Sequence, residues 1–256
     1  MKNHLVRFAA AAAIALGCSN SPDPERPLPE VAPAITARGE TVYFGRVFPL
    51  QDAGPAPIYV YERRVDAAGK QLVSTHITRD TAGVVQLAES ATHDAGYNLS
   101  SYTLHGNQLG ESGSVQVEPG QVAFRLRSSA GERTRVERTE GEVVVGPTLI
   151  GTIVHRFAAL ERGEVVRIRF AVLSRLETIA FELAKVSSSP GELRVEMRPS
   201  GFLFGLVVHP ITFTFETSTK KLIRLEGRVP PLVRDGDEWR ELDARVEYDF
   251  VAPSYR

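Results

Sequence analysis

Apolar and polar residues alternate with a period close to two along most of the chain after residue 40, the signature of strands with one face packed and one face wet. Val42 and Phe44 open the pattern, and then Tyr59, Tyr61, Arg63 and Val65 share one face while Ile58, Val60, Glu62 and Arg64 share the other. Asp66-Ala67-Ala68-Gly69 reads as a turn, with Gly69 free to adopt a positive φ. Further strands are predicted over 71–78, 84–92, 97–104 and 121–127. The joints between the runs up to 104 are short and contain Gly or Asp, which favours an antiparallel meander over crossover helices, and 121–127 continues it. The stretch ERTRVER at 132–138 is polar on both faces and fits an exposed edge strand, where charge discourages stray pairing. A second set of strands carries Val166, Ile168, Phe170 and Val172, then Ile179, Phe181 and Leu183, then Leu193, Val195 and Met197. Ile211, Phe213 and Phe215, then Ile223, Leu225 and Gly227, and finally Val246, Tyr248 and Phe250 continue it. Phe202 to Ile211 is apolar without alternation and suits a short helix or an irregular segment. Pro230-Pro231 interrupts the pattern, and Trp239 in the polar stretch around it reads either as a surface binding anchor or as the one large apolar side chain that folds back a long loop.

One segment changes period. After Gly146-Pro147, the residues Leu149, Ile153, Phe157 and Leu160 recur at intervals of four, four and three, placing them on one stripe of a helix. Pro147 suits the first turn, where no amide hydrogen is needed, and Gly163 is a natural stop. Gly151 weakens the middle of the helix. The stripe has two readings: core packing, or the wall of an apolar ligand cavity lined by Leu149, Ile153, Phe157 and Leu160. The resulting expectation is an all-β fold with one or two helices: a strongly curved antiparallel sheet, half-barrel-like, with the central helix on the concave side.

The start of the chain follows a different logic. FAAAAAIALGC, behind Lys2 and Arg7, is too short for a permanent bilayer span and reads as a secretory signal over 1–17. Gly17-Cys18 looks like a bacterial lipoprotein processing site, with Cys18 as the lipid attachment residue, although Ala15 stands where Leu is usual. Residues 18–38 contain a proline-rich, extended tether, and 39–256 form the expected single β domain. Ser19 after the cysteine fits sorting to the outer membrane if the host is Gram-negative. The expected location is therefore the cell envelope, anchored to the periplasmic face of that membrane.

Charge narrows the partners. Lys+Arg total 30 and Asp+Glu 31, and removing Lys2 and Arg7 with the signal leaves 28 against 31. A near-neutral, slightly acidic body argues against nucleic-acid binding, which needs a basic face. The single cysteine allows no internal disulfide.

Candidate chemistry is sparse. His76, His93, His105, His155 and His209 lie on separate elements, with no HExxH and no cysteine pair, so the sequence indicates no metal site and no cofactor. His93-Asp94 is the nearest approach to an acid and base couple, and its position before Ala95-Gly96 suits local capping. No GxSxG elbow is present, and no two carboxylates are singled out, so no catalytic residue is assigned. Tyr59, Tyr61, Tyr97 and Tyr102 fit either a strand core or an amphipathic pocket.

Gly146-Pro147-Thr148-Leu149, Arg198-Pro199-Ser200, Val208-His209-Pro210-Ile211 and Arg224-Leu225-Glu226-Gly227 together resemble a family of bacterial exported lipoprotein domains of unknown function. More remotely, the element order resembles the half-barrel lipoprotein carriers and periplasmic regulators. That resemblance implies an eleven-stranded sheet wrapped around helices and able to hold acyl chains; it implies no catalytic residue. Two functions follow as expectations. The first is a lipid-anchored envelope protein with a structural, assembly or protein-partner role, and the alternative is carriage of an apolar ligand in the concave face.

Overall fold

A computed structural model describes residues 40–50, 54, 56–200 and 210–249. Cys18, the tether, the apolar segment after Ser200 with Val208 and His209, and Phe250 lie outside the described residues. The first eight strands are β1 (Glu40–Pro49), β2 (Tyr59–Ala68), β3 (Gln71–Asp80), β4 (Val85–His93), β5 (Leu99–Gly106), β6 (Glu111–Glu118), β7 (Gln121–Ser128) and β8 (Gly131–Arg138). There follow β9 (Val143–Val144), α1 (Gly146–His155), α2 (Phe157–Glu161), β10 (Val166–Val172), β11 (Glu177–Ser189), β12 (Glu192–Pro199), β13 (Ile211–Glu216), β14 (Leu222–Asp235) and β15 (Glu238–Asp249). No helix among the described residues is long and apolar enough to cross a membrane.

All the strands belong to one sheet, ordered β8-β7-β6-β5-β4-β3-β2-β1-β15-β14-β13-β12-β11-β10-β9. Each hairpin neighbour pairs antiparallel, while β9 pairs parallel with β10. The ladder between β1 and β15 joins the two halves, with Phe44 opposite Asp249 and Val47 opposite Val246. The mostly β reading therefore stands, but the expectation of a strongly curved, half-barrel-like sheet is corrected. The fifteen strands form an open sheet, and no ladder joins β8 to β9. The helical segment is two short helices, not one continuous central helix. Alternation reports which residues share a face; it carries no information about the twist and bulges that decide whether a sheet bends sharply or closes.

The ends of the sheet touch through side chains. Arg133 donates to the Ser174 carbonyl at 3.0 Å, and Glu137 accepts from the Thr178 amide at 2.8 Å and from Arg169 at 3.2 Å. Burial works to raise the Glu137 pKa, but its bonds from Thr178 and Arg169 outweigh that and hold it below the usual range.

Two details of the sheet differ from expectation. β6 was not predicted, because Gly106, Gly110, Gly113 and Gly120 break up any apolar alternation across this stretch. Gly113 is instead a close-packing position: a Cβ there would lie 2.5 Å from the Leu173 side chain. Pro230-Pro231 does not end a strand. β14 passes through it with a bulge between Val229 and Leu232, and Gln108 meets the freed backbone, accepting from the Leu232 amide and donating to its carbonyl, both at 2.8 Å. Trp239 accordingly sits in a hairpin strand, with the Arg234 guanidinium 4.7 Å from its ring centre.

In the first turn of α1 the Thr148 hydroxyl accepts from the Val145 amide at 3.1 Å. α2 ends at Gly163, where φ is 88° and the Gly163 and Glu164 amides bond back to Leu160 and Ala159, a Schellman closure that needs a left-handed residue. The main core joins Leu149, Ile150, Ile153, Phe157 and Leu160 to Ile168, Leu183, Leu193, Val195, Phe213 and Phe215. A second cluster brings residues of β4–β7 together with Val143, Val145, Ala171 and Leu173.

Candidate functional site

Register builds an unexpected feature on the other side of α1. Arg63 in β2 stands opposite His76 in β3, and His76 stands opposite Glu89 in β4. Three ionisable residues thus form one rung across three adjacent strands, on the face that α1 covers. All are buried, at 4, 3 and 4 % exposure. Tyr43 opposes Arg63 from β1, and Tyr61, Tyr102, Ser74 and His93 surround the rung.

The hydrogen bonds fix most of the protons. Tyr102 donates to Glu89 Oε1 at 2.7 Å, while Glu89 Oε2 lies 3.9 Å from His76 Nδ1. Tyr61 hydroxyl contacts His76 Nδ1 closely, with the rings edge to face at 4.7 Å. His93 Nδ1 lies 2.7 Å from the Asp94 carbonyl, which can only accept, so that nitrogen carries the hydrogen. His93 Nε2 therefore accepts from Ser74 Oγ, 2.9 Å away. Arg63 Nη2 donates to Ser74 Oγ and to the Pro147 carbonyl at the start of α1, both at 3.3 Å.

Burial dominates the electrostatics. It raises the Glu89 carboxyl to about 7, against the hydrogen bond from Tyr102. It also pushes His76 well below its ordinary value, with Arg63 adding to the shift. Tyr61, Tyr102 and Tyr248 are raised well above the usual phenol range by the same desolvation. For Arg63, burial favours deprotonation, but the tyrosines around it more than offset this and the guanidinium stays charged.

α1 fits against this cluster through small residues. A Cβ at Gly146 would come within 3.1 Å of Glu89 Oε1, and one at Gly151 would lie 1.9 Å from a ring carbon of Tyr97. Gly151 is therefore a packing requirement, beyond its cost to helix propensity. Tyr97 stacks on His93 at 4.9 Å from a left-handed backbone with φ of 66°. Asp94 caps the turn between β4 and β5, accepting from the Gly96 and Asn98 amides at 2.8 and 2.9 Å.

The residues singled out in the sequence fall into place as follows. Leu149, Ile153, Phe157 and Leu160 are packed in the main core. Tyr61, Tyr97 and Tyr102 contribute to the polar cluster, and Tyr59 bonds the Leu232 carbonyl at 2.5 Å. His155 is exposed, and His105 lies on the outer face opposite Ser112. Arg63, His76 and Glu89 were the residues sequence reasoning missed as a group. Each is a lone ionisable residue on an otherwise packed face, such as Leu87, Glu89 and Ala91; only the register aligns them. Among the described residues, no three His, Cys, Asp or Glu side chains form a metal-binding group.

No family model matches the chain, and no curated protein matches it. A beta-barrel-like protein of the domain of unknown function DUF1849 from Brucella abortus, known from a crystal structure, is similar at a TM-score of 0.46 and 9% identity. The match covers 84% of this chain and 98% of that one. It is a remote likeness of fold and gives no residue correspondence.

Proposed function

We propose that the protein is a lipid-anchored component of a bacterial cell envelope that works through its folded surface, in a structural, assembly or partner-binding role. The observation that carries this reading is the filled interior. Leu149, Ile153, Phe157 and Leu160 would have to face open space to carry an acyl chain, yet they are 7, 0, 1 and 0 % exposed and packed against β10–β13. Glu89, His76 and Ser74, the groups with acid, base or nucleophile character, are also shut away from solvent.

What remains for function is the outer surface. Its charges are largely neutralised in place, as in Arg167–Glu182, Arg194–Glu226 and Arg228–Asp243, leaving little field to attract a polyanion. β8 ends the sheet with every residue but Glu137 exposed, and Val136 is 65 % exposed there. The anchor itself rests on Cys18, and the envelope location on the signal and tether sequences.

The test combines two measurements on the full chain. A photo-crosslinking residue at Val136 should capture one defined envelope protein in cells, and the same residue at Arg194 should not. Native mass spectrometry of the gently purified protein should show no bound acyl chain or phospholipid. Stoichiometric lipid retained within the fold, with no specific crosslink at either position, would overturn the proposal in favour of carriage.

A further inference from the structure

The second apolar cluster reaches the surface beside the β6–β7 turn. β6 ends at Glu118 and β7 begins at Gln121, so Pro119-Gly120 forms the turn between them. The chain leaving β8 runs alongside it: the Thr139 amide donates to the Gly120 carbonyl at 3.1 Å before the backbone reverses at Gly141, where φ is 104°. Between this turn and the loop over 139–142 lies a cavity of about 600 Å³, open to solvent. A Cβ at Gly120 or Gly141 would meet nothing within 4 Å, so neither bend fills the space. That volume takes a small organic molecule.

The lining has an apolar and an acidic part. Leu99, Val117 and Val143 supply the apolar floor, Leu99 and Val143 as buried members of the second cluster and Val117 packed against it. Glu118 and Glu140 add two exposed carboxylates. Glu118 accepts from the neutral Gln121 side chain at 2.6 Å, and Glu140 has no ion pair or hydrogen bond among the described residues. No described lysine, arginine or histidine lines the cavity, so nothing in its lining balances those charges. Thr139, in the same lining, holds its Oγ1 buried without a hydrogen-bond partner, an unfavourable state for a hydroxyl withdrawn from water.

Each feature narrows the occupant. The floor favours a ligand with a hydrocarbon body, and the carboxylates repel anions and attract a cation. A bare metal ion would leave the floor uncovered, and no three His, Cys, Asp or Glu side chains among the described residues converge to hold one. The lone pairs of Thr139 Oγ1 suit an N–H donor. We propose that this cavity is a binding site for a small alkylammonium group. Leu99, Val117 and Val143 cover its hydrocarbon body, Glu118 and Glu140 flank its positive head, and Thr139 accepts a hydrogen bond from it. A free amine and the side chain of a lysine share this chemistry.

The experiment is isothermal titration calorimetry of the full chain with hexylammonium chloride. Hexanol supplies the hydrocarbon without the charge, hexanoate the opposite charge, and ammonium chloride the charge without the hydrocarbon. Saturable binding of hexylammonium alone is expected, with a Kd of about 0.1–1 mM, the scale a ligand of this size supports. Glu118→Gln and Glu140→Gln should each weaken it about threefold and together about tenfold. Both residues are exposed, so these variants test binding without threatening the fold. Thr139→Val should weaken binding while leaving Tm unchanged or slightly raised, because the hydroxyl it removes has no partner to lose. Nα-acetyl-lysine methylamide separates the two sources: binding as tight as that of hexylammonium assigns the cavity to a lysine of the envelope partner proposed above, and weaker binding assigns it to a free amine and leaves the partner reading untouched. No saturable binding of hexylammonium, equal binding of hexanol, or an unchanged Kd in the double glutamine variant would overturn the proposal.

Discussion

Glu89 couples the fold to pH with a definite sign. Its carboxyl titrates at 4.5 when unfolded and at about 7 when buried beside Tyr102, so between those values the native state holds a proton that the unfolded chain has lost. The stability it contributes is complete below the unfolded value and is lost as pH rises through the folded one, a change of about 3 kcal/mol. His76 runs the other way: its folded pKa is depressed, so stability falls as pH drops below the unfolded histidine range. Glu89→Gln should isolate the first effect. Urea denaturation should show the variant gaining on wild type from pH 5 to pH 8, and a pH-independent difference would mean that Glu89 is ionised or hydrated in the fold. A second residue-scale prediction concerns Gly151. Alanine normally stabilises a helix relative to glycine, but here its Cβ would strike the Tyr97 ring. Gly151→Ala should therefore cost about 1–3 kcal/mol in chemical denaturation, and a variant as stable as wild type would show that Tyr97 does not need this position.

The helical pair seals the interior at the scale of elements. α1 puts Leu149 and Ile153 into one cluster while Gly146 meets Glu89 of the polar rung and Gly151 meets Tyr97 in the turn after β4, so a single short helix closes both. Phe157, at the start of α2, packs edge to face on Phe215 at 5.8 Å. Phe157→Asp should destabilise the protein by about 4 kcal/mol or more, seen as a large drop in Tm; an unchanged melt would place α2 outside the core. The apolar stripe was legible because spacings of four and three admit a helix and no strand. Its break at Arg156 and its two-sided role were not, because periodicity identifies a greasy face without identifying what the opposite face meets. Similarly, Pro230-Pro231 looked like an ending because proline removes a ladder donor, whereas the bulge and the distant Gln108 side chain accommodate it.

For the whole molecule, the anchoring reading makes a separate prediction. Lipid transfer needs the Cys18 thiol, so Cys18→Ser should abolish incorporation of radiolabelled fatty acid and leave precursor or soluble protein; equal labelling of both chains would remove Cys18 as the anchor. Local sequence by itself determined the predominance of strands, the buried stripe from Leu149 to Leu160 and the charged character of β8, because each depends on side-chain periodicity within a few residues. Tertiary structure alone decided that β1 and β15 join two meanders into one open fifteen-stranded sheet, since that pairing brings together segments some two hundred residues apart. It also decided that Arg63, His76 and Glu89 share a rung. A one-residue change in register would turn each of them to the opposite face, and register is set by turns, bulges and the helix that covers the sheet, none of which the residues themselves encode.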